Sequence, residues 1–480
     1  MKNSNILLIT IDALRADRVF TRYDSDLTPM LNNIADQGML FTSCYACSDK
    51  TTTSIPTIQT GLYPTRHGLL SHGPAVTQKQ LEHFSSTISI QEILRDSHTT
   101  ICCDTLGDII TRGFDYVYPE KSLPVKLGKR ILEPLPTAFV NRLSDSYSRL
   151  NELRRDNTTD NSFGASRPEE YRARWITDKF IDTIRNEDDP WFGYVHYWDT
   201  HMEYTSEKRH KEAVADRVYE DGDVTVEELK RENPDGTVAE KLDTYSDITT
   251  VGDLKRQYDA AVRCVDEYIG QIFEHIKQTG ELSDTLIIIT SDHGESLTEN
   301  GVFFDHRELY DPTWHVPLII HGPEYSGRED QFVQHFDIVP TILEYLDIPH
   351  KSTQFDGRPL SPTDSSLNRD AVFAEQTHNA RQRAIRTTEY KYIRNLHEER
   401  PGRLSDMERP PEQLYDLNGS AGETINIASD NQDICEELNA TLEEWLDSVP
   451  DPEQTTSVFE HPEEDDELMD QLDALGYKFD

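Results

Sequence analysis

Apolar residues in this chain fall in short unbroken runs. Ile6-Leu7-Leu8-Ile9-Thr10-Ile11, Trp191-Phe192-Gly193-Tyr194-Val195-His196-Tyr197-Trp198 and Leu286-Ile287-Ile288-Ile289 are the clearest. Runs this short do not suit a globular helix; they suit strands buried on both faces. Each run ends in polar residues: Asp12 after the first, Asp199 and His201 after the second, Thr290-Ser291-Asp292-His293-Gly294-Glu295 after the third. In open α/β sheets, ligands sit at the edge where such strands end. Between these runs, residues 27–42 read as helical and then extended at Met39-Leu40-Phe41, and residues 254–276 have helical spacing. Residues 371–375, 384–387 and 390–394 alternate like antiparallel strands, and 434–446 form an amphipathic helix. Pro359-Leu360-Ser361-Pro362-Thr363 marks a boundary between the two patterns.

Composition changes the picture in one respect. The chain has 480 residues and a net charge of −42, with acid spread along its whole length. That balance resembles proteins of salt-loving microbes, where at about 1 M salt the Debye length is roughly 3 Å and dense carboxylates are tolerated. It disfavours nucleic acid as a partner. Residues 120–160 are the exception, with Lys121, Lys126, Lys129, Arg130, Arg142, Arg149, Arg154 and Arg155. A solvated helical insert is the plainer reading of that cluster, and contact with a polyanion the sharper one. The charge run 463–467 reads as solvated.

Six cysteines, among them a lone Cys44-x-x-Cys47, are too few and too unpaired for a zinc or disulfide framework. They read as core thiols in a reducing interior. The first apolar run is short, contains Thr10 and has no small-residue cleavage site, so it reads as a strand and not a signal peptide. No run of about 18 apolar residues predicts a membrane span. The expected location is the cytoplasm.

The stretch 51–68 is rich in hydroxyls at its start (Thr51-Thr52-Thr53-Ser54) and in turn residues at its end (Gly61, Pro64, Gly68). A hydroxyl at a helix start can meet the positive end of the dipole; equally, such residues cap helices. With this stretch in view, the chain resembles the sulfatase family, within the alkaline phosphatase superfamily. Asn5 to Asp12 resembles the family's opening strand and metal aspartate. Thr60-Gly61-Leu62-Tyr63-Pro64 with Arg66-His67-Gly68 resembles its T-G-x-Y-P…H-G run. Asp199-Thr200-His201 resembles its D-P-H element, and Ser291-Asp292-His293-Gly294-Glu295 its second metal cluster. Val316-Pro317-Leu318-Ile319-Ile320, Asp337-Ile338-Val339-Pro340-Thr341, Leu414-Tyr415-Asp416-Leu417, Glu423-Thr424-Ile425-Asn426 and Leu475-Gly476-Tyr477 resemble later family segments.

This resemblance implies a large mixed, mostly parallel central sheet flanked by helices over residues 1–365, with inserts near 120–170 and 205–253. A small C-terminal antiparallel α+β subdomain with an acidic tail would fill 366–480. It also exposes departures. Counting back from Thr60-Gly61, the position of the family's modified Cys or Ser is Thr51, which cannot form formylglycine. Thr53 replaces a Pro and Ile55 an Arg, while Ser54 keeps a Ser. A gapped alignment would put Ser54 at the reactive position; ungapped, Ser54 is a capping residue. The paired aspartates read Asp12-Ala13, and the G-K-W-H-L-G element has no counterpart.

By the resemblance, Asp12, Asp292 and His293 hold one divalent cation, with the Thr51 hydroxyl completing the shell and acting as nucleophile. His201 and His306 bind the oxyanion or protonate the leaving oxygen. The cation is Ca, Mg, Mn or Zn, and the His ligand favours Mn or Zn. His315 is expected to be structural and His321 to lie outside the site. The implied activity is hydrolysis of sulfate esters or related phosphate esters of an anionic substrate, such as a sulfated or phosphorylated glycan or lipid head group. Phosphoester hydrolysis or head-group transfer is one alternative. A non-catalytic anion-binding member of the fold is the other.

Overall fold

A computed structural model describes residues 2–19, 26–71, 76–104, 108–119, 172–232, 248–361, 369–376, 381–396, 409–419 and 422–449. The basic cluster at 121–155, the run 463–467 and residues 475–477 lie outside them. The three apolar runs are β1 (Asn5–Ile11), β5 (Trp191–Tyr197) and β6 (Thr285–Ser291). They lie side by side and parallel at the centre of an eight-stranded sheet, β5-β1-β6. Ile11 stands level with Tyr197 on one side and Ser291 on the other. That register brings the three polar strand ends to one edge.

The remaining strands are β2 (Met39–Tyr45), β3 (Thr99–Cys103), β4 (Tyr116–Tyr118), β7 (His315–His321) and β8 (Gly327–Gln334), giving the order β4-β3-β5-β1-β6-β7-β2-β8. Only β7 runs against its neighbours β6 and β2. The sheet is therefore mixed and mostly parallel.

Alternation within β1 explains why it reads as continuously apolar. Leu7, Ile9 and Ile11 enter one core layer and Ile6 and Leu8 the other. The first layer is closed by α1 (Pro29–Gln37), α3 (Ala173–Ile184) and the 29-residue α4 (Val251–Thr279). The second is closed by α2 (Thr51–Thr60) and α5 (Ile338–Tyr345). α2 stops at Gly61, whose φ of 68° is left-handed. A Cβ there would also meet Phe355 Cδ1 at 2.9 Å, so only glycine fits.

A second, four-stranded antiparallel sheet holds β9 (Ala371–Gln376), β10 (Gln382–Thr387), β11 (Tyr390–Asn395) and β12 (Glu412–Asp416). α6 (Gln432–Ser448) packs on it through Cys435, Leu438 and Leu442. Three of these strands are legible as alternation. β12 is not, because Leu414-Tyr415 gives too short a pattern. Among the described residues no helix is long and apolar enough to cross a membrane, and the six cysteines are free and buried.

Candidate metal centre

The centre is assembled from strand ends and one helix start. β1 delivers Asp12 and then turns sharply. Ala13 has a φ of 56°, unusual for a residue with a Cβ. Asp292 Oδ1 accepts from the Ala13 N–H at 3.1 Å, and the Tyr258 hydroxyl donates to the Ala13 carbonyl at 2.8 Å. β6 delivers Asp292 and His293. Gly294 follows because the chain passes so close to the 311–314 turn that a Cβ would lie 2.0 Å from the Pro312 carbonyl oxygen. The Gly294 N–H donates to the Thr313 carbonyl at 2.8 Å.

Asp12, Asp292 and His293 are fully buried, and one donor atom from each lies within 4.8 Å of the others. His293 Nδ1 is 2.9 Å from the Gly294 carbonyl, which fixes a proton on Nδ1 and leaves the Nε2 lone pair facing inward. Asp12 Oδ1 and Asp292 Oδ2 are buried without a hydrogen-bond partner. Two carboxylates and an imidazole with inward-facing lone pairs, sealed from water, fit a divalent cation.

The electrostatics agree. Burial and the neighbouring Asp12 push the Asp292 carboxyl above its usual range. Burial would raise Asp12 too, but His201, His196 and His293 more than offset it and bring it down to about 2.

Thr51 begins α2 with its Oγ1 3.1 Å from His293 Nε2 and 3.5 Å from Asp12 Oδ2. Two rival hydroxyls are occupied elsewhere. Thr52 donates to the Ser71 carbonyl and Ser54 to the Ser48 carbonyl, both at 3.1 Å. Lys50, not Ser54, holds the N-cap position of α2. The expected capping role of Ser54 is therefore corrected: it lies inside the helix and braces the loop before it.

His306 stacks on His293 with ring centroids 4.2 Å apart, and His201 lies 5.7 Å from His306. His201 also stacks on Trp198 at 4.4 Å. Burial, then the positive charge of Lys50, hold the His306 imidazole well below its ordinary range. All six residues singled out in the sequence thus gather in one cluster. Asp199 serves the frame instead: its oxygens accept from the Ala173 N–H at 3.0 Å and the Thr205 hydroxyl at 2.8 Å. His315 stacks on Tyr45 and reaches the Thr42 carbonyl, while His321 packs on Phe273.

Two residues of the cluster escaped the sequence reading. His196 points from β5 with Nε2 3.6 Å from Asp12 Oδ2, and its Nδ1 is 2.7 Å from the Thr10 hydroxyl. Inside an apolar run it reads as an ordinary core residue. Its register beside Thr10 on β1 was the available clue. Lys50 is buried with Nζ 3.3 Å from His306 Nδ1. Nothing in the pattern distinguishes it from a solvated lysine.

A mixed sheet with acids and imidazoles converging at its carboxyl edge defines an α/β protein of the alkaline phosphatase-like fold, with a cluster of groups there that could hold a cation. Residues 4–348 match the family model for sulfatases, and 299–449 match that for the C-terminal part of N-sulphoglucosamine sulphohydrolase. The chain belongs to the sulfatase family. It is 27% identical over 231 residues to Arylsulfatase K of Danio rerio, covering 43% of this chain and 42% of that protein. It is 27% identical over 215 residues to N-acetylglucosamine-6-O-sulfatase of Bacteroides thetaiotaomicron, covering 42% of this chain and 38% of the relative. These matches thus span about two fifths of the relatives' length. The phosphonate monoester hydrolase of Agrobacterium radiobacter superposes with a TM-score of 0.65 at 20% identity, covering 93% of this chain and 96% of that one.

Proposed function

We propose that this chain is a divalent-cation-dependent hydrolase that cleaves sulfate esters or related phosphate esters through the Thr51 hydroxyl. The observation that carries this reading is the position of Thr51 Oγ1, 3.1 Å from His293 Nε2 and beside two buried carboxylates whose free oxygens await a cation. Asp12, Asp292, His293 and Thr51 would hold the ion, and Mn²⁺ or Zn²⁺ suits the imidazole best. When bound, it supplies charge neutralisation and lowers the pKa of the hydroxyl.

The protein's own groups then have distinct tasks. Thr51 attacks sulfur or phosphorus in line, forming a covalent ester of its side chain as the alcohol departs. His201, half-buried at the rim, protonates the leaving oxygen. His306, stacked on His293, holds that imidazole in place beside Thr51. Water must then cleave the Thr51 ester by attack on the same central atom, because threonine has no second hydroxyl with which to expel the group.

Phosphorus chemistry is a second reading, favoured by the residue at position 51, a threonine with a single hydroxyl. A simple threonine ester of phosphate is opened by in-line attack of water. The name of the phosphonate monoester hydrolase neighbour is in keeping with this. The name of the N-acetylglucosamine-6-O-sulfatase relative favours a sulfated sugar as substrate; a phosphorylated glycan or a lipid head group is the alternative. We assign catalysis to residues 1–365 and a supporting role to 366–480, in a protein adapted to high salt. The test is a paired assay of aryl sulfate, phosphate and phosphonate monoesters at molar salt with Ca²⁺, Mg²⁺, Mn²⁺ or Zn²⁺. Turnover that needs a cation and vanishes in Thr51→Ala supports the proposal. A chain that binds the cation and turns over none of the three refutes it.

A further inference from the structure

The cluster contains one cation that the reaction above does not use. Lys50 is 4% exposed and immediately precedes the nucleophile. Its Nζ lies 3.3 Å from His306 Nδ1, but that nitrogen is also 2.6 Å from the Asp49 carbonyl. A neutral His306 that donates from Nδ1 to the carbonyl has no lone pair there for a lysine. The remaining partner is Asp49 Oδ2 at 3.9 Å, too long for a hydrogen bond.

Other buried lysines of the molecule are treated differently. Lys255 Nζ donates to both oxygens of Asp221 at 2.7 and 2.8 Å and to the Thr298 hydroxyl at 2.8 Å. Lys391 Nζ meets Asp311 Oδ1 at 3.0 Å and Glu423 Oε1. A buried ammonium wants three acceptors, and these two lysines come close to that number. Among the described residues, Lys50 has none at hydrogen-bonding distance that can accept.

The charge count of the site points the same way. A divalent cation is balanced by Asp12 and Asp292, so the anionic group of a substrate needs positive charge from elsewhere in the site. Lys50 is the positive charge in contact with His306, and His306 stacks on the ring that touches Thr51. Resting on the hydrolase reading, we propose that Lys50 binds the non-bridging oxygens of the sulfate or phosphate group as it reacts at Thr51. The vacant donors of Lys50 are then filled by substrate oxygens, and His306 acts as its spacer.

The test uses the full chain at molar salt, loaded with Mn²⁺, and titrates inorganic phosphate and inorganic sulfate by calorimetry. Lys50→Met should weaken binding of whichever oxyanion the wild type takes by roughly ten- to a hundredfold, the range of a charge-assisted hydrogen bond. Its Mn²⁺ affinity, titrated without oxyanion, should stay within about threefold, and Lys50→Arg should restore part of the oxyanion binding. If Lys50→Met fails to fold because Asp49 is left unpaired, Asp49→Asn with Lys50→Met removes both charges, and the same oxyanion loss is expected. Unchanged oxyanion affinity in the variant that folds overturns the inference, as does a loss that merely tracks lost Mn²⁺. In either case wild-type turnover leaves the hydrolase reading standing. A wild type that binds Mn²⁺ but neither oxyanion, and cleaves no ester, sinks both.

Discussion

Two pairs of neighbouring acids, Asp311 with Glu423 and Asp12 with Asp292, are accommodated in opposite ways. Asp311 and Glu423 face Arg386 and Lys391. Arg386 NH1 is 2.8 Å from Asp311 Oδ2, Lys391 bridges both acids, and the Asp311 N–H donates to Glu423 Oε2 at 2.7 Å. Two acids meet two cations. Burial would raise the Asp311 carboxyl, yet Lys391 and Arg386 pull it far below its ordinary range. Asp12 and Asp292 have no such side chains. Their nearest ring nitrogens belong to His196 and His293, and two of their oxygens have no hydrogen-bond partner. The Asp311 side chain keeps 29% of its surface exposed, whereas Asp12 and Asp292 are fully buried. They differ also in the kind of counter-charge, Lys and Arg beside the first pair and histidine rings beside the second. The first group joins the small sheet to the large one, and the second is left open for a ligand.

The sharpest way to break this contrast is at Thr51. Thr51→Ala should cut turnover by at least about 10³-fold, with the fold and cation uptake largely kept. Ser54→Ala should leave turnover nearly intact, since that hydroxyl binds the Ser48 carbonyl. Steady-state rates of the two variants decide this, and the reverse result would move the nucleophile to Ser54.

Next come the acids themselves. Cation added at about 100 times its Kd should stabilise the wild type by roughly 2.7 kcal/mol. Asp292→Asn should abolish that gain while leaving the cation-free protein as stable as before or more so, because it relieves repulsion with Asp12. Asp311→Asn should do the opposite. It should cost roughly 2–3 kcal/mol with or without cation, somewhat under the usual figure for a broken buried pair, since Glu423 stays with Lys391. Denaturant melts with and without Mn²⁺ would report both. Equal behaviour of the two variants would erase the distinction.

A smaller effect concerns pH. Burial and the neighbouring Asp311 push the Glu423 carboxyl up to about 7 from its usual 4.5. The unfolded chain therefore releases this proton first as pH rises. The stability contributed by the protonated group is full below pH 4.5 and declines until about pH 7, after which it is flat. Glu423→Gln should remove that part of the decline, seen as the difference between two stability-against-pH curves. The mildest expectation is general. With a net charge of −42, the melting midpoint should fall steadily as salt is lowered from molar concentration.

Sequence legibility followed the same divide. β1, β5 and β6 were readable because a strand buried on both faces is apolar throughout, and the residues that end them are conspicuous by contrast. The helices at 251–279 and 432–448 were readable from period. The antiparallel insertion of β7 between β6 and β2 was not, since strand direction is decided by packing and not by local pattern. Lys50 and His196 were missed for a related reason. A lysine is informative only when it is buried without acceptors, and a histidine within a strand only when its neighbour in register is known. Ser54 was misjudged because the start of α2 lies at Thr51, where no side chain closes the cap.

Gly294 gives the contrast a mechanical side. The backbone that carries His293 lies directly against Pro312 and Thr313, and Asp311 in the same short turn is clasped by the small sheet. There is no clearance at this joint for even one methyl group. Displacement of the small sheet is therefore transmitted to the imidazole without a soft layer to absorb it. The C-terminal sheet works as a clamp on the ligand loop, so a chain that has shed it should lose cation affinity and fold integrity in one step.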